Sequence, residues 1–279
     1  MTSPASPRAG RPGSASTPAP AEVARPYRMT KGLLLWLVFK AASLVLFAMG
    51  QTAAAVAVYL VLDPWFLWQV LVARSRGFGP VASRFDTAER TVWLTIDDGP
   101  DPRSTPAVLD LLDQYGARGT FFLIGERAAR HPELVAEIHR RGHGIGNHTQ
   151  THPCWSFWAA GPARVGREIE ACNAAVARAG VPVPRYFRMP VGMKTPFFEV
   201  ALARRGLWLV AWSARGFDRT ANPETAMRRI MRSVRPGAIL LLHEGDTAGA
   251  GVRLIEGVLQ RLATEGYRAV LPDHGALNL

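Results

Sequence analysis

The chain has 279 residues, 48% of them hydrophobic and 20% charged, enough for one domain of ordinary to large size with apolar sequence to spare. Its formal net charge of +11 rests on scattered arginines, with Lys31, Lys40 and Lys194 the only lysines. No basic stripe or nucleic-acid-binding motif accompanies that charge, so nucleic acid is not an expected partner. Cys154 and Cys172 are too few for a disulfide framework and leave the redox compartment open.

Residues 1–31 are rich in Pro, Ala, Ser, Gly and Arg. They offer too little apolar surface to offset ordering entropy, and a disordered tail is expected. Residues 32–74 are almost continuously apolar, interrupted by Lys40, Gln51, Asp63-Pro64 and Gln69. The run begins too late and extends too far for a signal peptide, and it is about twice the ~20 residues that one span needs. Two helices, 33–49 and 52–73, could close at Gly50-Gln51-Thr52; the alternative is one span over 41–62. Arg8, Arg11, Arg25, Arg28 and Lys31 precede the run, and Arg74, Arg76 and Arg84 follow it. Positive charge on both flanks favours a hairpin with both ends in the cytoplasm. Lys40 and Asp63 count against it, because charge at membrane depth is costly. Attachment to a cell membrane, a bacterial inner membrane with lipid as partner, is expected either way. Residues 75–90 read as a linker.

From residue 91 to 279, strands and helices alternate. Strands are expected at 92–96, 120–124, 145–148, 185–189, 207–212, 238–243 and 267–271. Helices are expected at 102–115, 128–141, 166–179, 197–205, 223–234 and 251–265, several of them ended by Gly or Pro. Such alternation implies parallel βα units in an α/β barrel or open sheet, with functional groups at the carboxyl ends of the strands. Those ends carry Asp97 and Asp98, His148, Arg188 and His243. Four strand ends with charged or ligand-type residues are hard to explain as packing.

Asp97-Asp98-Gly99-Pro100 ends its strand on two adjacent carboxylates that repel each other unless something positive lies beside them. Alone, the pair reads more readily as a polar turn than as a site. His148 and His152 stand at i and i+4, a spacing that a helical turn would place on one face. With Asp98 they supply two nitrogens and one carboxylate and leave a position open, as a catalytic rather than a structural zinc site does. An ion there would polarise a carbonyl and acidify water.

In order, Thr95-Ile96-Asp97-Asp98-Gly99-Pro100, His148-Thr149-Gln150-Thr151-His152, Arg188-Met189-Pro190-Val191-Gly192 and Leu241-Leu242-His243 resemble the successive motifs of the polysaccharide deacetylases. These form carbohydrate esterase family 4, whose domain is shared with the nodulation-factor chitooligosaccharide deacetylase. The resemblance spans about residues 91–272 and implies a distorted (β/α) barrel that hydrolyses N-acetyl groups of amino sugars with a divalent metal, Zn2+ first among the candidates. It makes Asp98, His148 and His152 the metal ligands, Asp97 the general base and His243 the general acid. Arg188 would hold Asp97 charged and oriented, and Asp218 would tune His243. Pro190, Trp212 and Leu241 are candidates for the substrate pocket.

Two motifs depart from that pattern. Arg219 follows Asp218 where Trp is usual, Arg215 stands at a position that is often acidic, and Val191 replaces an aromatic residue. These changes fall on the groove wall and put a chitin or peptidoglycan chain in doubt as substrate, while leaving the reaction in place. The membrane segment makes a lipid-linked amino sugar an alternative substrate. A related C–N hydrolase of deformylase or imidase type and a non-catalytic glycan-binding relic are the alternative functions. His131, His139 and His143 are expected to be exposed and without function.

Overall fold

The computed structural model describes residues 24–27, 29–245 and 249–279, so most of the stretch expected as a disordered tail lies outside the described residues. The apolar run folds as α1 (Lys31–Ala48), α2 (Thr52–Leu60) and α3 (Asp63–Leu71). The chain reverses at Gly50, whose φ of 78° suits a residue without Cβ. Thr30 caps α1 by accepting the Leu33 N–H at 3.3 Å. Pro64 sits in the first turn of α3, where a missing N–H costs nothing, and the chain kinks just before it. Lys31–Ala48 and Thr52–Leu71 are each long and apolar enough to cross a membrane. Their outer faces expose Leu34, Leu44, Val45, Phe47, Leu67 and Leu71. The two charges that weigh against a hairpin meet each other: Lys40 Nζ lies 2.5 Å from Asp63 Oδ1, which also accepts from Trp36 Nε1 at 3.1 Å.

The inner face of this hairpin belongs to the core of the following domain. Leu33, Trp65 and Val70 pack with Phe78, Phe157 and Phe198. Residues 75–90, expected as a linker, take part in this packing, with Phe78, Val81, Ala82 and Phe85 all buried. Lys194 completes the junction. Its buried Nζ donates to the carbonyls of Val72 at 2.5 Å, Ala73 at 3.1 Å and Ser75 at 2.9 Å, satisfying the carbonyls where α3 ends.

The sheet is formed by β1 (Thr91–Gly99), β2 (Gly119–Leu123), β3 (Gly144–Asn147), β4 (Tyr186–Phe187), β5 (Trp208–Leu209), β6 (Ala214–Arg215), β7 (Ile239–His243) and β8 (Arg268–Ala269). Its strands run in the order β5-β4-β3-β2-β1-β7-β6, with β8 beside β1, and every pairing is parallel. The result is a curled half-barrel. Ala82 bridges to Val210 and Arg84 to Ala238, so the supposed linker spans part of the gap between the outer strands. Around the sheet lie α4 (Thr105–Gln114), α5 (Gly125–Arg130), α6 (Pro132–Arg140), α7 (Pro162–Arg178), α8 (Phe198–Ala203), α9 (Pro223–Ser233) and α10 (Ala250–Thr264). The helix expected over 128–141 is two helices, because Pro132 cannot donate to the preceding turn and starts α6 afresh. β1 is buried along its whole length, as the central strand of a sheet covered on both faces must be.

Candidate active site

Parallel register brings the candidate residues to one rim. Asp97 of β1 pairs with His243 of β7, and Asn147 of β3 pairs with Phe187 of β4. His148 and Arg188 follow those paired residues directly. The rim encloses a cleft of about 220 Å³ lined by Asp97, Asp98, His148, His152, Trp212 and His243.

His148 and His152 meet through a loop and not through the helical turn that their spacing suggested. Thr149 and His152 hold φ of 69° and 51°, which reverses the chain within five residues. Buried Asn147 shapes the turn by accepting the Thr149 N–H at 2.9 Å. Glu168 of α7 accepts the Gln150 and Thr151 N–H groups, both at 2.9 Å. The ring centroids end 4.8 Å apart. His148 Nδ1 lies 2.9 Å from the Arg188 carbonyl, an acceptor only, so Nδ1 carries the proton and Nε2 is left as a lone pair.

That lone pair faces Asp98. Its Oδ1 lies 3.5 Å from His148 Nε2 and 3.3 Å from His152 Nε2. The same oxygen is buried and accepts no hydrogen bond. An orphaned carboxylate oxygen between two imidazole nitrogens is what a cation site requires, and the three ligand atoms lie within 4.8 Å of one another. Burial pushes His152 down to about 4, keeping it neutral and able to ligate.

The Asp97 side is satisfied instead of open. Arg188, fully buried, donates from Nη1 to Asp97 Oδ1 and Thr95 Oγ1, both at 2.7 Å. Its remaining donors reach the carbonyls of Val210 at 3.1 Å and Ala211 at 3.0 Å. His243 is gripped by Asp218, whose carboxylate accepts its backbone N–H at 2.9 Å and approaches Nδ1 at 2.9 and 3.0 Å. Burial lowers His243, yet the Asp218 hydrogen bond and the carboxylates of Asp218, Asp97 and Asp98 together raise it above its ordinary value.

Trp212 and Leu241 line the cleft as expected. Met189, Val191 and Gly192 also line it, Gly192 close against the Trp212 ring, with Pro190 buried between Met189 and Val191. Asp98, Thr149, His152, Val191 and Phe217 are the described non-glycine residues with positive φ; Asp98, His152 and Val191 line the cleft, and Thr149 and Phe217 lie in the segments that carry His148 and Arg219. Such strain is held only where the surroundings over-determine it.

Three residues went unassigned in the sequence. Thr95 shares Arg188 with Asp97, and Cys154 places its sulfur 3.2 Å from His152 Nδ1. Arg219 Nη1 lies 3.4 Å from Asp98 Oδ2. Thr95, two residues before Asp97 on β1, shares its face by strand periodicity, which is the signal that could have found it. Both cysteines are free. His143, expected exposed, is buried against Phe121 and is pushed down to about 4, chiefly by burial.

Residues 84–207 match the family described as polysaccharide deacetylase. A chitooligosaccharide deacetylase of a Bradyrhizobium species is 39% identical over 64% of this chain and 80% of its own length. A peptidoglycan-N-acetylglucosamine deacetylase of Bacillus cereus is 35% identical over 65% and 86%. Among solved structures, a family 4 carbohydrate esterase of Streptomyces lividans in complex with acetate superposes with a TM-score of 0.60 at 31% identity, covering 66% of this chain and 93% of that one. A peptidoglycan N-acetylglucosamine deacetylase in complex with an N-oxidanyl-benzamide gives 0.63 at 28% identity, over 74% and 93%.

Proposed function

Because the chain belongs to the polysaccharide deacetylase family, enzymes that hydrolyse N-acetyl groups of carbohydrates, we propose that its cleft deacetylates an amino sugar, using a divalent ion held by Asp98, His148 and His152. The observation that carries this reading is the buried Asp98 Oδ1, which faces both imidazole Nε2 atoms and accepts no hydrogen bond. Two nitrogens and one carboxylate suit Zn2+. When bound, the ion would polarise the acetyl carbonyl and make a water more acidic.

The remaining steps fall to this chain's own groups. Arg188 occupies Asp97 Oδ1 and fixes the carboxylate, so Oδ2 is the atom that takes the proton from the attacking water. His243 has Nδ1 committed to Asp218, which leaves Nε2 to deliver a proton to the departing amine. Amide nitrogen leaves poorly unless protonated, and the β1–β7 register sets this acid on the strand beside the base. Asp218 acts as a positioning residue. Trp212 and Leu241 offer an apolar wall to the acetyl methyl group. The hairpin α1–α3 serves as the membrane anchor, placing the domain at a bacterial inner membrane.

The test is Asp97→Asn in the full chain. Metal content by elemental analysis should stay at the wild-type level, while acetate release falls by about 10²- to 10⁴-fold. Unchanged acetate release would remove Asp97 as the base.

A further inference from the structure

The wall of the cleft that departs most from the family pattern carries cations. Arg188 is matched by Asp97, and His243 by Asp218. Arg219 has Asp98, the carboxylate that a divalent ion would claim. Like-charge repulsion from that ion would push the Arg219 guanidinium off Asp98 and toward the open cleft. Arg215, at the end of β6, makes no ion pair among the described residues. Its Nε is buried without a hydrogen-bond partner. The guanidinium lies 4.3 Å from the Phe217 ring centroid and 5.2 Å from that of Trp212, so aromatic faces hold it in place while its donors stay unspent.

A second hollow, of about 450 Å³, adjoins the first and shares Arg219 and His243 with it. Pro223, the first residue of the eleven-residue α9, lines this hollow, so the positive end of a helix dipole faces the same space. Arg215 lines the cleft that holds the acid–base pair and Arg219 stands where the two hollows meet, a placement that suits an anion attached close to the reacting amide. A carboxylate is saturated by one guanidinium fork, whereas a phosphoryl group can accept from two.

We propose that Arg215 and Arg219 form a phosphoryl subsite, and that the preferred substrate is an N-acetylated amino sugar bearing a phosphate ester near the acylated nitrogen. The inference rests on the deacetylase reading above and narrows its substrate class. The phosphate could belong to a soluble sugar phosphate or to a lipid carrier. The carrier has a short route, because a Cβ placed on Gly192 at the cleft wall would stand 3.1 Å from Ala73 Cβ, where the hairpin ends.

The experiment compares acetate release by the full-length, zinc-loaded protein from three substrates: neutral chitotriose, N-acetylglucosamine 1-phosphate, and polyprenyl-diphosphate-linked N-acetylglucosamine in vesicles. Wild-type kcat/KM should favour the phosphorylated substrates. In the R215Q/R219Q double variant that preference ratio should fall by about 10- to 100-fold, mainly through KM, and R215K/R219K should restore part of it. A larger gain for the lipid-carried substrate than for the soluble one identifies the source. An unaltered ratio in the double variant, or a wild-type preference for chitotriose, overturns the inference. A second arm is independent of turnover: calorimetric binding of glucosamine 1-phosphate against glucosamine. Loss of the phosphate preference in R215Q/R219Q supports the subsite even where no acetate appears, and that outcome would break the deacetylase reading alone. Equal binding of the two sugars by wild-type protein refutes the subsite.

Discussion

The two carboxylates at the end of β1 are neighbours in sequence and opposites in environment. Around Asp97 the donors and acceptors are paired off: Arg188 spends its guanidinium on Asp97, Thr95 and the carbonyls of Val210 and Ala211. Around Asp98 the balance is left open, with an orphaned oxygen facing two imidazole nitrogens. A group that must hold one orientation through a reaction benefits from a complete shell, whereas a ligand needs a lone pair that nothing else has claimed. Burial is common to both, so exposure alone would not tell them apart.

That difference is most sharply broken by substitution on each side. Asp98→Asn keeps a residue that tolerates the left-handed φ of 71° and removes the charge that would hold the ion. Metal content should drop to background and acetate release should fall on the order of 10³-fold or more, while the metal-free protein melts close to wild type. Arg188→Met should do the reverse to stability. It leaves Asp97 charged and buried without a partner, which costs about 3–5 kcal/mol and lowers the melting temperature with or without metal. Equal thermal losses in the two metal-free variants would show that the open and closed halves are not distinct.

A smaller effect sharpens the acid side. His243 is raised above its ordinary value by Asp218, so the protonated form persists to higher pH in the folded protein than in the unfolded chain. The stability that this proton contributes is fully present below the unfolded pKa and is lost as pH rises through the folded one. Asp218→Asn removes the carboxylate while keeping a polar side chain of similar size. The alkaline limb of the pH–rate profile should move to lower pH, and stability should become less sensitive to pH across the same window. A limb that stays in place would assign it to a group other than His243.

How much of this was legible in the sequence follows the range of the interactions involved. Asp97, Asp98, His148, Arg188 and His243 could be placed at strand ends because strand periodicity and turn residues are local signals. Their meeting at one rim follows from parallel register, which alternation of strands and helices implies. The His148–His152 geometry was misread, since i and i+4 spacing suggests a helix and nothing local announces left-handed backbone at Thr149 and His152. The packing of Val81 and Phe85 was hidden for another reason: Val81 shares its cluster with Phe198 and Leu202 of α8, and Phe85 shares its own with Ile239 and Leu277, all distant in sequence. Arg219 was visible as a departure from a pattern, but its approach to Asp98 is a tertiary fact.

The smallest expected effect concerns a second ion pair, and it tests whether the lesson of Asp97 and Arg188 is general. Lys40 and Asp63 lie 2.5 Å apart, against 2.7 Å for Arg188 and Asp97, yet they join two apolar helices far from any chemistry. A half-buried pair with no reaction to serve gains in Coulomb energy roughly what it costs in desolvation, so apolar side chains of similar volume can replace both partners. Lys40→Met or Asp63→Leu alone should destabilise the protein in detergent micelles, because each leaves one charge among apolar neighbours such as Trp36. The double variant should recover most of the loss in melting temperature and retain full acetate release. For Arg188 and Asp97 no apolar pair can do the same if Asp97 is the base proposed above, whatever the stability. Recovery in the hairpin without recovery in the cleft would separate a pair kept for packing from a pair kept for catalysis; single variants as stable as wild type would mean that Lys40 and Asp63 are solvated, and would count against helices that lie in lipid.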